Sequence, residues 1–349
     1  MSRIFITGAT GFIGGEVLYG LANSRLASKT VALVRSEARA AQITAKYPAV
    51  VPLIADLDAS DAIETAASQA DVVLHLASSN HVGSANAIAQ GLGKSQSKSP
   101  VWIQISGASV LSGQEIADHS YGNASSRVYN DVKDVDELHN IIASSPKRVV
   151  DRLVTNLATS QPSARTAIVY GPIIYGLGRG PANQRSIQIP SLAKATLQNG
   201  YAPHVGKGLS AWSNVHVSDI AQLILKLVAA SQEESSGSQK QQHPLWNKDG
   251  VYFADAGKIP FGEIARKLAT VAAAKGFIES PKVKEVDAEA AESITAHAAV
   301  LLGTNAQTRA ERARTLLGWE PKGPSLDDEI ERAVVEEAAR SNGSPRSNI

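Results

Sequence analysis

Residues 1–15 read Met1-Ser-Arg-Ile-Phe-Ile-Thr-Gly-Ala-Thr-Gly-Phe-Ile-Gly-Gly15, and the reading of this stretch decides the fold. Ile4, Phe5 and Ile6 form a short apolar run of the kind that makes a strand buried on both faces. Gly8, Gly11 and Gly14 follow at G-x-x-G-x-x-G spacing, and Val17, Leu18 and Leu21 then recur at helical spacing. Strand, glycine turn and helix in that order are the context a dinucleotide-binding loop requires. Gly8 permits a tight turn, Gly11 lets backbone approach a pyrophosphate, and Gly14 lets the helix pack on the strand. The free N–H groups of the first helical turn would face the phosphates.

The string Thr7-Gly-Ala-Thr-Gly-Phe-Ile-Gly14 resembles the start of extended short-chain dehydrogenases/reductases, the epimerase and dehydratase group. That resemblance implies an α/β fold: a Rossmann-type doubly wound parallel sheet that binds NAD(P), followed by a smaller α/β substrate-binding lobe. Thr10, Phe12 and Ile13 join the three glycines as expected cofactor contacts. The expected division is residues 1–171 for the Rossmann domain, with a return around 210–230, then 172–340 mostly for the lobe. The Ser/Asn/Pro-rich run 341–349 reads as a frayed tail.

At 349 residues the chain is long enough for one large α/β domain and a smaller lobe. A formal net charge of +1 gives no reason to expect nucleic acid or an anionic membrane as partner. The absence of cysteine excludes disulfides, thiolate metal sites and a cysteine nucleophile. No apolar run reaches the roughly 18 residues of a spanning helix, and the first strand begins at once, leaving no room for a cleaved signal. The expectation is a cytoplasmic enzyme with a small-molecule substrate, monomeric or homodimeric. No set of His and carboxylates has metal-ligand spacing.

Along the chain, Thr30–Val34 reads as the second strand and Arg35 stands at its end. An acidic residue there would hold the adenosine ribose hydroxyls and favour NAD. A guanidinium suits a 2′-phosphate instead, so NADP(H) is favoured over NAD(H). Val50–Ala55 reads as the third strand and leads into Asp56-Leu57, which the resemblance places beside the adenine. Asp56 alternatively caps the helix starting near Ser60. Asp71-Val-Val-Leu-His-Leu-Ala-Ser78 resembles the family's fourth strand, with Leu76, Ala77 and Ser78 against the cofactor and His75 packed within the strand.

The fifth strand, Val101–Ile105, runs into Ser106-Gly-Ala-Ser109, where the family places a catalytic hydroxyl; Ser106 and Ser109 are the candidates. Tyr129-Asn-Asp-Val-Lys133 matches Y-x-x-x-K. On a helix this spacing puts both side chains on one face, the lysine lowering the tyrosine pKa so that the phenol trades a proton as hydride moves. The next strand, Thr166–Val169, lies 37 residues beyond Tyr129, more than one helix and a loop need. Two helices fit: Asp134–Ala143, then one from Pro146 with Val149, Val150, Leu153, Val154 and Leu157 on its apolar face. If the second is the catalytic helix, Ser145 and Val149 stand in the Tyr and Lys places and Tyr129–Lys133 lies in an insertion.

Ile168-Val-Tyr-Gly-Pro-Ile-Ile-Tyr-Gly176 resembles the sixth strand and its exit, with Tyr170 and Pro172 at the nicotinamide end. Arg179 and Arg185 read as solvated. Asn214-Val-His-Val-Ser-Asp219 and Leu316-Leu-Gly-Trp-Glu-Pro-Lys322 resemble two further family motifs; His216 and Asp219 read as structural, with Ser218 or Asp219 capping a helix. Ser231–Gly250 reads as a polar loop. The leading functional expectation is an NADP(H)-dependent oxidoreductase of a small carbonyl or alcohol. An epimerase or dehydratase with regenerated cofactor, and a dinucleotide-binding regulator without turnover, are its alternatives.

Overall fold

A computed structural model describes residues 1–235 and 245–343. The first half alternates strand and helix: β1 (Ser2–Thr7), α1 (Phe12–Ala22), β2 (Ala27–Val34), α2 (Glu37–Lys46), β3 (Val50–Ile54), α3 (Ser60–Ser68), β4 (Val72–His75), α4 (Val82–Gly93) and β5 (Val101–Gly107). There follow α5 (Gly113–Ala117), β6 (Tyr129–Asn130), α6 (Val135–Ser144), α7 (Val149–Ser160) and β7 (Arg165–Gly171). The second half contributes β8 (Ile173–Tyr175), α8 (Gln188–Asn199), β9 (Ala202–Val205), β10 (Ala211–His216) and α9 (Val217–Ser235). It continues with β11 (Val251–Phe253), β12 (Gly257–Pro260), α10 (Phe261–Ala274), β13 (Val283–Val286), α11 (Ala288–Ala291) and α12 (Ala298–Gly303), and ends with β14 (Thr308–Arg309), α13 (Glu311–Leu317) and α14 (Leu326–Gly343).

Seven strands form one parallel sheet in the order β11-β7-β5-β4-β1-β2-β3. Helices cover both faces, so the inner strands read as unbroken apolar runs rather than alternating ones; all four residues of β4 are buried. The chain leaves β1 towards β2 on one side and has β4 on the other. That reversal opens a crevice at the C-terminal ends of β1 and β4, the place where open α/β sheets bind ligands. Outside the large sheet, β12-β10-β8, β13-β9 and β14-β6 are small sheets that knit residues 173–343 together and tie the 119–135 excursion to β14.

The two helices expected between Tyr129 and Thr166 are present as α6 and α7. The second begins at Val149 rather than Pro146: Pro146 holds Ser145 extended, which ends α6, and residues 146–147 form a turn before the helix starts. Val251–Phe253 is the seventh strand of the large sheet, paired parallel to β7, so the chain re-enters that sheet after leaving it at Gly171. Part of the loop expected over 231–250 is instead helical, since α9 runs to Ser235; residues 236–244 lie outside the described residues. The expected tail likewise begins as helix up to Gly343, and 344–349 lie outside them.

Asp219 joins two of the motifs. Its buried carboxylate accepts the Lys322 N–H (2.9 Å) and the Gly323 N–H (3.1 and 3.0 Å), and its carbonyl accepts the Trp319 indole N–H (2.9 Å). It is structural, as expected, but it holds a distant segment instead of capping a helix, since α9 has already begun at Val217. His216 pairs with Ser218 at 2.7 Å.

Candidate active site

The three glycines of the first turn are glycine for two different reasons. Gly8 has φ +76°, and a Cβ there would lie 2.6 Å from the Leu76 carbonyl. A Cβ on Gly14 would fall 2.1 Å from the Gly8 oxygen. Both are dictated by the protein's own packing. At Gly11 the only atom within reach of a Cβ is the Gly8 oxygen at 3.1 Å; otherwise that side is open. Gly11 is also the N-cap of α1, with no side-chain cap and no acidic residue in the first turn. The first-turn N–H groups therefore lack a side-chain acceptor beside an open cradle, which is what a pyrophosphate requires.

A strap from the second half of the chain closes over this loop. The Asn183 N–H donates to the Thr10 carbonyl at 3.1 Å, and the Phe12 ring lies against Gly178, while Ile13 packs half-buried on the core. Arg179 is exposed, as expected, but it is also paired. Its backbone N–H (2.7 Å) and Nε (2.8 Å) donate to Glu16, whose carboxylate is buried, and its guanidinium lies 4.2 Å from the centre of the Tyr19 ring. Arg185 likewise pairs with Glu337 at 2.9 Å. Partners more than 150 residues away supply what made these arginines look idle in the sequence.

On the adenosine side, Arg35 is exposed at the end of β2 and forms no ion pair or hydrogen bond among the described residues. Asp56 is exposed and accepts the Asp58 (3.0 Å) and Ala59 (3.1 Å) N–H groups. It thus closes the turn that precedes α3 without capping the helix, whose N-cap is Ala59 with no side-chain cap; Leu57 is half-buried behind it. After β4, Leu76 is buried and Ala77 exposed, and Ser78 accepts the Asn80 (3.1 Å) and His81 (3.2 Å) N–H groups. His75 is packed as expected, between Thr7 (2.7 Å) and Ser84 (3.3 Å). Burial pushes its pKa down to about 4, so it stays neutral and structural.

At the end of β5 the structure assembles a polar cluster that the sequence only half revealed. Ser106 Oγ donates to Asp151 Oδ2 at 3.0 Å, and the Tyr170 hydroxyl donates to the same oxygen at 3.1 Å. Arg148, the residue preceding α7, sends Nη2 to Ser109 Oγ (2.9 Å) and Nη1 to Ser106 Oγ (3.4 Å), with Asp151 3.9 Å away. Asp151 is fully buried and its other oxygen has no partner. Burial raises its pKa, against the opposing pull of Arg148, Ser106 and Tyr170. Tyr170, expected at the nicotinamide, is itself buried in the sheet and its hydroxyl is spent on Asp151; Pro172 is buried just beyond it. Arg148 and Asp151 escaped the sequence reading. The available signal was an aspartate among Val150, Val154 and Leu157 on the buried face of α7.

Tyr129 and Lys133 do not form the expected helical pair. Tyr129 lies in β6 and Lys133 in the turn before α6, because Asn130 and Asp131 are claimed by tertiary contacts. The Asn130 side chain accepts the Val132 (2.8 Å) and Lys133 (3.0 Å) N–H groups, making a turn where a helix was expected. Buried Asp131 accepts the backbone N–H groups of Phe253 (3.1 Å), Glu311 (2.8 Å) and Arg312 (2.9 Å). The Tyr129 ring stacks under the Arg127 guanidinium at 4.5 Å. Lys133 lines a cavity of about 900 Å³ that shares no residue with the Ser106–Arg148 cluster.

A doubly wound parallel sheet with an uncapped glycine cradle at its switch point defines a nicotinamide-dinucleotide-binding protein of the Rossmann class. Residues 4–239 match the NAD dependent epimerase/dehydratase family, and the chain belongs to it. A curated relative, Oxidase ucsJ of Acremonium sp, is 32% identical over 341 residues, covering 97% of this chain and 98% of the relative. Among solved structures, UDP-glucuronic acid 4-epimerase from Bacillus cereus, in complex with a fluorinated UDP-sugar and NAD, superposes with a TM-score of 0.66 at 15% identity, covering 97% of this chain and 99% of that one. The dTDP-glucose 4,6-dehydratase of Bacillus anthracis, in complex with NAD, gives 0.65 at 13%, with 98% of both chains covered. At such identities the two structures testify to the fold alone. Among the described residues no helix is long and apolar enough to cross a membrane.

Proposed function

We propose that the protein is an NADP(H)-dependent oxidoreductase that acts on a small carbonyl or alcohol substrate at the C-terminal end of β5. One observation carries the reading: Arg148 reaches Ser109 and Ser106 from the start of α7 while buried Asp151 holds Ser106 from behind. A nicotinamide dinucleotide seated in the Gly11 cradle would pass hydride to the carbonyl carbon, and the alkoxide so formed would take a proton from solvent through the Ser109 hydroxyl; alcohol oxidation runs the same steps in reverse. Arg148 and Ser109 offer hydrogen-bond donors to the substrate oxygen, where negative charge develops as hydride arrives. Ser106 and Asp151 are positioning residues. They fix the guanidinium in a largely water-excluded site, in which its charge acts more strongly than in solvent.

The naming of a similar protein as an oxidase supports net redox chemistry over a cofactor-regenerating cycle. The unpaired Arg35 guanidinium supports the 2′-phosphorylated cofactor. Tyr129 and Lys133 have no part in this reading, because the helix their shared role required is absent.

The test is NADPH oxidation against a panel of aldehydes and ketones, by wild type and by Arg148→Gln. Losing one charged donor to a developing oxyanion lowers kcat by about 10²–10³-fold, while the dissociation constant for NADPH stays near wild type. Equal turnover by the two proteins would overturn the assignment.

A further inference from the structure

The cavity beside Lys133 is built with more care than a surface hollow needs. Three segments distant in sequence form most of its walls, residues 127–134, residues 255–258 after β11, and the β14–α13 stretch, with Ser213 of β10 completing them. Buried Asp131 fastens all three through the N–H groups of Phe253, Glu311 and Arg312, and Asn130 Nδ2 adds a bond to Glu311 at 2.7 Å. The walls are therefore fixed before any ligand arrives.

The charges on those walls do not cancel. Five cationic side chains and three carboxylates line the cavity. Each carboxylate of the lining is paired with an arginine: Asp134 with Arg127 (3.2 Å), which also binds Glu137 outside the lining (2.5 Å), Asp255 with Arg314 (3.5 Å) and Glu311 with Arg309 (3.8 Å). That leaves two ammonium groups. Lys258 contacts only the neutral Gln307 side chain, at 3.0 Å, and the Lys133 ammonium has no hydrogen bond or ion pair among the described residues. Both lysines are exposed. A concave wall with two uncompensated positive charges concentrates anions, and about 900 Å³ suits a metabolite-sized molecule.

We infer that this cavity is a second ligand site, distinct from the dinucleotide crevice, for a phosphate-bearing small molecule, with Lys133 and Lys258 as its anion contacts. It accounts for the Tyr129–Lys133 stretch without assigning it to hydride transfer: Asn130 and Asp131 fix the wall, Tyr129 supports Arg127, and Lys133 faces the ligand.

The probe is inorganic pyrophosphate, titrated calorimetrically into the full chain already saturated with NADPH, so that the glycine loop is blocked. Saturable binding is expected, weakened at least about tenfold in a Lys133→Gln, Lys258→Gln double variant, which removes both charged contacts. Both substitutions are at exposed positions, and a melt matching wild type confirms the fold. No saturable heat up to about 10 mM, a range that covers weak anion sites, overturns the inference. So does wild-type affinity in the double variant, and so does binding that vanishes when NADPH is present.

Discussion

If Gly11 is open because a ligand must approach it, while Gly8 and Gly14 are closed by the protein itself, then adding one methyl at each should separate binding from folding. Gly14→Ala drives a Cβ to 2.1 Å from the Gly8 oxygen, a backbone atom that can retreat only by dismantling the turn. The expected loss exceeds the 1–3 kcal/mol usual for overpacking. Gly8→Ala combines a left-handed backbone, about 1–2 kcal/mol for a side-chain-bearing residue, with a 2.6 Å contact to Leu76. Gly11→Ala is different. Its φ of −80° suits alanine and the Gly8 oxygen need yield only a few tenths of an ångström. Its cost to stability should stay within about 1 kcal/mol, much of it the poorer N-cap. Yet the methyl projects over the first-turn N–H groups, and losing one charge-assisted contact to phosphate, about 1.5–3 kcal/mol, weakens NADPH binding tenfold to a hundredfold. Gly11→Val should abolish binding. Urea unfolding followed by circular dichroism measures the first effect and calorimetric titration with NADPH the second. A Gly11→Ala protein as unstable as Gly14→Ala, or one that binds NADPH like wild type, would refute the division between ligand glycine and packing glycines.

Two further outcomes follow from single residues. Arg35→Asp should reduce or reverse a preference for NADPH over NADH of about tenfold or more, the value of one guanidinium–phosphate contact; equal dissociation constants for the two cofactors with wild type would sink the NADP(H) assignment. Asp131, whose pKa burial raises from the ordinary 3.8 to about 6, binds its proton more tightly folded than unfolded. Its contribution to stability is therefore complete below pH 3.8 and is lost as pH rises through 6, by about 3 kcal/mol. Asp131→Asn removes that dependence, so the stability difference between wild type and variant should shift by this amount between about pH 4 and 7; a difference flat with pH contradicts it.

What the sequence disclosed and what it withheld divide by distance along the chain. The glycine turn, the apolar strands of the large sheet and the apolar face of α7 rest on neighbours a few residues apart, and they formed close to where their patterns placed them. Glu16 and Arg179, or Asp131 and Arg312, meet only after folding, and no local pattern announces such a pair. The Tyr129–Lys133 spacing is a local pattern without a local cause: Asn130 and Asp131, lying within it, are held by residues beyond 250, and they set the backbone to strand and turn.

The most consequential gap is smaller. Reading the second helix from Pro146 puts Val149 towards the cofactor, whereas a start at Val149 leaves it 39% exposed. The later start leaves residues 146–148 outside the helix, so the cap residue rather than a residue one turn in meets the end of β5. With the later start Arg148 stands at the cap, beside the C-terminal ends of β5 and β7, and its guanidinium reaches both serines. Sequence patterns place helix ends only to within about two to four residues, and in this protein that margin separates a valine from an arginine at the candidate reaction centre.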